Sequence, residues 1–221
     1  MSFNIAIDGP AGAGKSTIAK KVAAALSFIY VDTGAMYRAM GLYCIQKGLP
    51  LKEESAISEA CKDITVEIRY ENKEQQVILN GENVSAAIRA EEVGNAASTV
   101  SVYKAVREKL TQLQKSLAAS TDVVMDGRDI GSAVLPRAQV KIYLTASAHT
   151  RAMRRYKELE AKGIKSDIAV IEADINERDH RDMTREISPL CQAWDAVLID
   201  SSDMSIDEVT EAIIKLYEER K

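Results

Sequence analysis

The sequence predicts an α/β fold with a five-stranded parallel sheet and a small antiparallel insertion. Short apolar runs alternate with longer alanine-rich or charged segments, which is typical of a parallel sheet whose strands are connected by helices. Within residues 62–85, apolar residues instead alternate with polar ones, as they do in half-exposed strands. A glycine-rich loop between the first strand and the first helix completes the pattern.

The five predicted parallel strands lie near residues 5, 29, 123, 140 and 197. The first ends at Asp8, directly before the glycine-rich loop, and the second ends at Asp32. Helices are predicted over residues 16–26, 35–47, 86–120, 148–187 and 208–220. In the insertion, the run that ends at Leu79 is followed by Asn80-Gly81, a strong signal for a β-hairpin.

Composition argues against several classes of protein. Aromatic residues make up 5% of the chain and the net charge is -4, so neither a base-stacking platform nor a general nucleic-acid surface is expected. The three cysteines have no metal-binding spacing and are expected to be reduced, with each packed as a small apolar residue. No apolar run is long enough to span a membrane, and the first residues do not resemble a signal peptide. We therefore expect a cytoplasmic protein.

The strongest motif is a phosphate loop that matches G-x-x-x-x-G-K-[ST] between a strand and a helix. Glycines allow consecutive backbone N–H groups to turn around an anion, and the following helix adds its positive N-terminal end. Lys15 would reach the β- and γ-phosphates, and the Ser16 hydroxyl would ligate Mg²⁺. The residues of the motif are Gly9, Pro10, Ala11, Gly12, Ala13, Gly14, Lys15, Ser16 and Thr17.

A second candidate cluster follows the third predicted strand. Asp126, Arg128 and Asp129 lie at the carboxyl end of that strand, where ligands bind in open α/β sheets. Asp126 could hold Mg²⁺ through water, and Arg128 could pair with a phosphate. The alternative is a surface turn with a local ion pair.

A third cluster comprises Arg178, Arg181, Asp182 and Arg185, which would share one face of a helix. Arginines on neighbouring turns repel one another unless an anion or a carboxylate joins them, so the spacing indicates a polyphosphate site. A solvated face with ordinary ion pairs remains the alternative.

Further arginines frame a possible lid. Arg151, Arg154 and Arg155 also share one helix face, and with the third cluster they bracket residues 156–177. A lid is expected because phosphoryl transfer must exclude water. Arg38, after Asp32-Thr33-Gly34, is another candidate phosphate ligand. For each of these arginines a solvated position is the alternative.

Trp194 is expected in the core, and His149 and His180 at the surface.

These motifs resemble those of the bacterial cytidylate kinases, which are nucleoside monophosphate kinases with a phosphate loop. The matching segments are IAIDGPAGAGKST, VDTGAMYRA, DGRDIG, VKIYLTAS and ERDHRDMTR, which together extend over nearly the whole chain. The resemblance implies transfer of phosphate from ATP to CMP or dCMP with Mg²⁺, in a monomer that acts on no nucleic acid or membrane. It also implies the strand order 2-3-1-4-5, counted over the parallel strands.

The resemblance implies roles for individual residues. Gly9 to Thr17 and Arg154 would bind ATP, while Lys15, Asp126, Arg128 and Arg185 would act in catalysis. The CMP site would comprise Thr33, Arg38, Ser98, Arg107, Arg128, Asp129, Arg178, Arg181, Asp182 and Arg185. Within it, Ser98, Arg107 and Asp129 would contact cytosine, and Arg178 and Asp182 the ribose.

One kinase domain over residues 1–221 is expected. Its core would comprise 1–38, 105–148 and 186–221, with a nucleoside-monophosphate-binding region over 39–104 and a lid with flanking helices over 149–185. Two other functions remain open: a kinase for UMP or a small alcohol, and a nucleotide-switched binding protein. The second would need a guanine-binding Asn-Lys-x-Asp, which the sequence lacks.

Overall fold

The computed structural model describes residues 2–72 and 74–221. The chain consists of two compact units. The first consists of the residues up to Tyr30 together with Asp122–Lys221, and the second is Val31–Thr121.

The described residues contain eight strands in two sheets. The strands are β1 Asn4–Asp8, β2 Ile29–Asp32, β3 Val66–Glu71, β4 Glu74–Leu79, β5 Glu82–Asn83, β6 Val123–Gly127, β7 Val140–Thr145 and β8 Val197–Asp200. The larger sheet has the order β2-β6-β1-β7-β8, and β3, β4 and β5 form the smaller one. Numbered over the larger sheet alone, this order is 2-3-1-4-5, so the expected parallel topology is confirmed.

Within residues 2–72 and 74–221 there are also eight α-helices. They are α1 Lys15–Leu26, α2 Thr33–Gln46, α3 Glu54–Ala60, α4 Glu91–Val100, α5 Lys104–Ser120, α6 Ala148–Ala161, α7 Ile168–Thr184 and α8 Ile206–Arg220. Two of the predicted helical regions each contain more than one helix. The stretch over 148–187 is divided near Gly163, which has a φ of +71°, and the stretch over 86–120 is divided between Val100 and Lys104.

The first unit has its core on the parallel sheet. Ile7 of β1, Ile142 of β7 and Val22 of α1 are fully buried there, together with Ile213 of α8. Strands β1 and β6 run parallel with Ile7 opposite Asp126, and β1 and β7 run parallel with Ile7 opposite Ile142. Successive residues along a strand face opposite sides, and nearly all residues of β1 and β6 are buried, so both faces of the sheet are covered. The polar residues Asp8 and Asp126 lie near the carboxyl ends of these strands.

The second unit packs helices beside the small antiparallel sheet. The turn between β4 and β5 is Asn80-Gly81, with φ values of +49° and +88°, as the hairpin signal predicts. Helix α2 approaches α4 closely at Gly41, where an added Cβ would lie 2.7 Å from the backbone nitrogen of Ala97. A side chain at position 41 would therefore force these two helices apart.

The expectation of a buried Trp194 is wrong. This side chain is 95% exposed, because it lies in the loop before β8, the edge strand of the sheet. Its neighbour Asp195 turns toward the buried Lys141, whose Nζ lies 2.8 Å from Oδ2 of Asp195. Cys191, in the same loop, is also exposed, whereas Cys44 and Cys61 are buried as expected. None of the described helices has the length and apolar character of a membrane span.

Candidate active site

The phosphate loop connects β1 to α1 in a conformation that depends on glycine. Gly12 and Gly14 have φ values of +76° and +89°, which side-chain-bearing residues rarely adopt. Gly9 lies so close to β7 that an added Cβ would overlap the carbonyl oxygen of Leu144. Helix α1 begins at Lys15, so its unpaired N-terminal N–H groups lie at the end of this loop. The loop therefore has the geometry of an anion site.

Lys15 is a buried ionisable side chain at the end of this loop. Its Nζ donates a hydrogen bond to the carbonyl oxygen of Pro10 over 2.7 Å. Burial, and then repulsion from Arg128, lower the pKa of Lys15 to about 7. Because a buried ammonium is costly without a counter-ion, an anion in the loop would be strongly favoured.

Ser16 and Asp126 place two oxygen ligands side by side. The Ser16 hydroxyl donates to Oδ2 of Asp126 over 3.0 Å, and the hydroxyl of Tyr30 donates to Oδ1 over 2.9 Å. Among the described residues, no group of three or more His, Cys, Asp or Glu could hold a metal. One hydroxyl and one carboxylate fit Mg²⁺, which keeps several waters and completes its shell with substrate phosphates.

Asp8 anchors the segment that follows the second candidate cluster. Its two carboxylate oxygens accept hydrogen bonds from the backbone N–H groups of Ile130 and Gly131, each over 2.7 Å. Burial is the main reason why the pKa of Asp8 is raised to about 7. This carboxylate thereby holds the chain just after Arg128 and Asp129. Sequence reasoning missed Asp8, although its position at the end of β1, directly before Gly9, was a usable signal.

Helix α7 brings part of the third cluster onto the second. Nε of Arg128 lies 2.9 Å from Oδ2 of Asp182, and the two side chains are 21% and 8% exposed. Burial raises the pKa of Asp182, but Arg128, Arg178 and Arg185 outweigh it and hold that pKa below its usual value. Asp182 is therefore ionised at neutral pH.

The remaining members of the third cluster differ in their surroundings. Arg185 follows the last residue of α7; it lies 3.4 Å from Oδ1 of Asp129 and donates to the carbonyl oxygen of Ser188. Arg181 is partly exposed and pairs with Glu177 one turn earlier. Arg178 is partly buried. The structure thus brings Asp129, Asp182, Arg128 and Arg185 into one charged network, and Arg181 pairs with Glu177 on the same helix.

The arginines of α6 occupy three different environments. Arg151 is buried and donates to the carbonyl oxygen of Ala11 in the phosphate loop over 3.0 Å. Arg154 donates to the carbonyl oxygen of Ser201 over 2.7 Å, and an added Cβ on Gly14 would lie 3.9 Å from its Nη1. Arg155 pairs with Glu158 at the surface. Arg154 is thus close to the phosphate loop. Arg151 contacts the same loop through the carbonyl oxygen of Ala11.

In the second unit, Asp32 organises a small cationic group. Its side chain caps α2 by accepting from the N–H of Ala35 over 2.9 Å. The same carboxylate pairs with Arg38 over 3.0 Å and with Arg89 over 3.5 Å. Thr33, the first residue of α2, is buried. Arg89 was missed by sequence reasoning, because no local pattern links it to Asp32.

The two other residues proposed for this unit lie on neighbouring helices. Ser98 is buried on α4, and Arg107 is buried on α5. Arg107 donates to the carbonyl oxygen of Ser101 over 3.2 Å, and its guanidinium carbon lies 5.7 Å from the centre of the Tyr37 ring. This packing holds a buried cation in a defined position.

Solved structures with a similar fold include two small-molecule kinases. A gluconokinase from Sinorhizobium meliloti is 14% identical, with a TM-score of 0.51 over 99% of this chain and 93% of that one. A shikimate kinase from Bacteroides thetaiotaomicron is 12% identical, with a TM-score of 0.50 over 98% of each chain. At these identities the likeness concerns the fold alone.

Sequence relatives are much closer. A cytidylate kinase of Pediococcus pentosaceus is 51% identical over 98% of this chain and 96% of its own length. A cytidylate kinase of Lactiplantibacillus plantarum is 48% identical over 100% of this chain and 97% of its own. The family profile described as Cytidylate kinase matches residues 5–219. The phosphate loop and charged network described above therefore lie in a chain that belongs to the cytidylate kinase family.

Proposed function

We propose that the protein transfers the γ-phosphoryl group of ATP to CMP and dCMP, giving ADP with CDP or dCDP. The full-length match to cytidylate kinases carries this proposal. The buried phosphate loop beside Asp126 and Arg128 supports it, because these groups suit a bound triphosphate and its metal ion. Kinases of UMP and of small alcohols are the competing assignments within the same fold.

In the proposed reaction, an oxygen of the CMP phosphate attacks the γ-phosphorus of ATP. One P–O bond forms to the acceptor while the bond to the β,γ-bridging oxygen breaks in line with it, and ADP leaves. The acceptor oxygen is already ionised at neutral pH, so no strong general base is needed. Lys15, Arg128 and Arg185 would neutralise the charge that spreads over the transferred group.

Ser16 and Asp126 would hold Mg²⁺, Ser16 directly and Asp126 through water. An ion held there would supply positive charge that reduces the repulsion between the ATP phosphates and the incoming anion. Arg154, which lies beside Gly14, would contact ATP together with the residues from Gly9 to Thr17.

For the acceptor, roles are proposed in each unit separately. In the second unit, Thr33 and Arg38 would bind the phosphate of CMP, and Ser98 and Arg107 would contact cytosine. In the first unit, Asp129 would accept from the 4-amino group of cytosine. Arg178 and Asp182 would contact the ribose, and Arg181 would add positive charge.

The wider biological setting belongs to the same proposal. Residues 149–185 would act as a lid with flanking helices and residues 39–104 as the region that binds the acceptor, on a core of 1–38, 105–148 and 186–221. The protein would be a cytoplasmic monomer that uses no nucleic acid. The lid would exclude water, which otherwise competes with CMP for the γ-phosphoryl group.

A substrate panel tests the assignment. ADP formation is measured with a coupled assay in the presence of CMP, dCMP, UMP, AMP, GMP, gluconate or shikimate, with Mg²⁺ or with EDTA. We expect the highest kcat/KM with CMP and dCMP and loss of activity with EDTA. A preference for UMP, a purine nucleotide or an alcohol would reject the proposed acceptor.

A further inference from the structure

Arg151 is a buried arginine that joins three segments of the first unit. Its side chain is 6% exposed. Its Nε donates to the carbonyl oxygen of Ala146 over 2.9 Å, its Nη1 to that of Ala11 over 3.0 Å, and its Nη2 lies 2.7 Å from Oδ2 of Asp179. The planar guanidinium therefore uses all three nitrogens, with one contact after β7, one in the phosphate loop and one on α7. Lysine could not make these contacts together, because all of its N–H donors extend from a single nitrogen.

Arg151 contacts the phosphate loop through one of the loop's carbonyl groups. The N–H groups of such a loop turn toward the anion, so its carbonyl groups need partners on the outer side. Arg151 supplies one such partner to Ala11. Its aliphatic stem also packs against the loop, since an added Cβ on Gly12 would lie 3.3 Å from Cβ of Arg151. A shift of the Arg151 side chain would therefore displace the backbone of the phosphate loop.

On the α7 side, the partner of Arg151 lies among the residues proposed for the acceptor. Asp179 directly follows Arg178 and lies three residues before Asp182, so it shares their helical turns. Asp182 in turn pairs with Arg128 over 2.9 Å. Oδ1 of Asp179 is buried and accepts no hydrogen bond within residues 2–72 and 74–221, which leaves Oδ2 to make the connection to Arg151.

We propose that Arg151 and Asp179 are positioning residues, which set the distance between the phosphate loop and the charged face of α7. Neither would touch a reacting atom. The pair would hold the γ-phosphoryl group in line with the acceptor, and its loss would leave ATP bound but misaligned. This inference rests on the proposed function, because it requires an acceptor beside α7. A displacement of about 1 Å at such a site can lower the rate roughly 100-fold.

Three variants test the pair: Arg151→Lys, Asp179→Asn and the double variant. Each keeps the approximate size of the side chain it replaces. Asp174→Asn is the matched control, since Asp174 lies on the same helix and is exposed. For each protein, CDP and ADP are quantified together at saturating ATP and CMP, the KM for each substrate is measured, and thermal unfolding is followed.

We expect kcat for CDP formation to fall about 10- to 100-fold in each single variant, with both KM values changed by less than about 3-fold. The ratio of CDP to ADP should fall below one, because misaligned ATP reacts with water instead. In the double variant, kcat for CDP formation should be no lower than in the more impaired of the two single variants. This is expected for two residues that act as a unit. Asp174→Asn should behave as the wild type.

The outcomes separate three cases. A purely structural pair would lower the unfolding temperature while kcat per folded molecule and the CDP:ADP ratio stay at wild-type values, and that result would overturn the inference. If Asp179→Asn does not fold, the same criteria apply to Arg151→Lys, which retains the positive charge. Absence of CDP from the wild-type protein would instead reject the proposed function.

Discussion

Replacement of Asp182 by asparagine tests the centre of the charged network. Asp182 accepts from Nε of Arg128 over 2.9 Å, and both side chains are largely buried. The substitution keeps the shape of the side chain but removes its charge, so Arg128 loses its counter-ion. It also weakens any hydrogen bond that the carboxylate would accept from the ribose 2′-hydroxyl.

The size of the effect follows from these contacts. Removal of one partner from a buried ion pair typically costs about 3–5 kcal/mol of stability. The loosening of Arg128 should reduce kcat/KM for CMP and dCMP alike, since both carry the phosphate. A hydrogen bond to a charged group contributes about 1.5–3 kcal/mol, and only CMP can make the ribose bond. Asparagine keeps a neutral acceptor, worth about 0.5–1.5 kcal/mol. The CMP:dCMP ratio of kcat/KM should therefore fall by about 5- to 10-fold.

The same substitution has a defined effect on acid stability. The pKa of Asp182 in the folded protein lies below its usual value of 3.8. Its ionised form therefore stabilises the fold above that value, and the stabilisation is lost as the pH falls toward the lower folded-state pKa. Asp182→Asn should be less stable than the wild type at neutral pH, with a smaller difference in strong acid.

Steady-state kinetics with CMP and dCMP, and denaturant unfolding at about pH 7 and pH 3, measure these effects. Asp174→Asn is the control for loss of a carboxylate from the exposed side of α7. Equal losses of kcat/KM for CMP and dCMP would refute the ribose contact and leave Asp182 only as the partner of Arg128. Unchanged stability at neutral pH would refute the reasoning about the buried pair.

Three further predictions concern residues at the ends of the parallel strands and in the phosphate loop. Lys15→Met should abolish phosphoryl transfer by lowering kcat, with a smaller effect on the KM for CMP, because Lys15 lies beside charge that grows in the transition state. A variant that is folded by circular dichroism and has near-normal kcat would contradict this. ATP binding at about pH 7.5 should take up protons, because the pKa of Lys15 is lowered to about 7 in the free protein and a bound triphosphate would raise it. Calorimetry in buffers of different ionisation enthalpy measures the uptake, and equal uptake by Lys15→Arg, which is always protonated, would assign the protons to another group. Asp129→Ala should lower kcat/KM for CMP about 100-fold while UMP changes little, because a carboxylate attracts the 4-amino group of cytosine and repels the 4-oxygen of uracil; an unchanged CMP:UMP ratio would show that Asp129 only orients Arg185, from which it lies 3.4 Å.

Features defined by consecutive residues were predictable from the sequence. The phosphate loop depends on glycines at fixed spacing, and Gly9, Gly12 and Gly14 all have the positive φ that only glycine readily adopts. The Asn80-Gly81 turn likewise follows from local turn chemistry. The parallel strand order agrees with the order implied by the family resemblance. The locations of Asp126 and Arg128 followed from the rule that ligands bind at the carboxyl ends of strands.

Contacts between distant segments were not predictable in this way. Arg151 and Asp179 belong to different helices, and no periodicity in either helix pairs them across the fold. The ion pair of Arg181 with Glu177 is instead a local i,i+4 contact on α7, which the sequence analysis did not include. Trp194 was wrongly expected in the core because residue type is a weak guide in a loop beside an edge strand. The roles of the individual site residues remain predictions.

The most direct measurement follows the transferred phosphoryl group itself. ATP labelled with ³²P at the γ-position is incubated with the protein, Mg²⁺ and CMP, and the products are separated by chromatography. We expect the label in the β-phosphate of CDP, in an amount equal to the ADP formed. Label in inorganic phosphate alone, or none released from ATP in the presence of CMP, would contradict the proposed phosphoryl transfer.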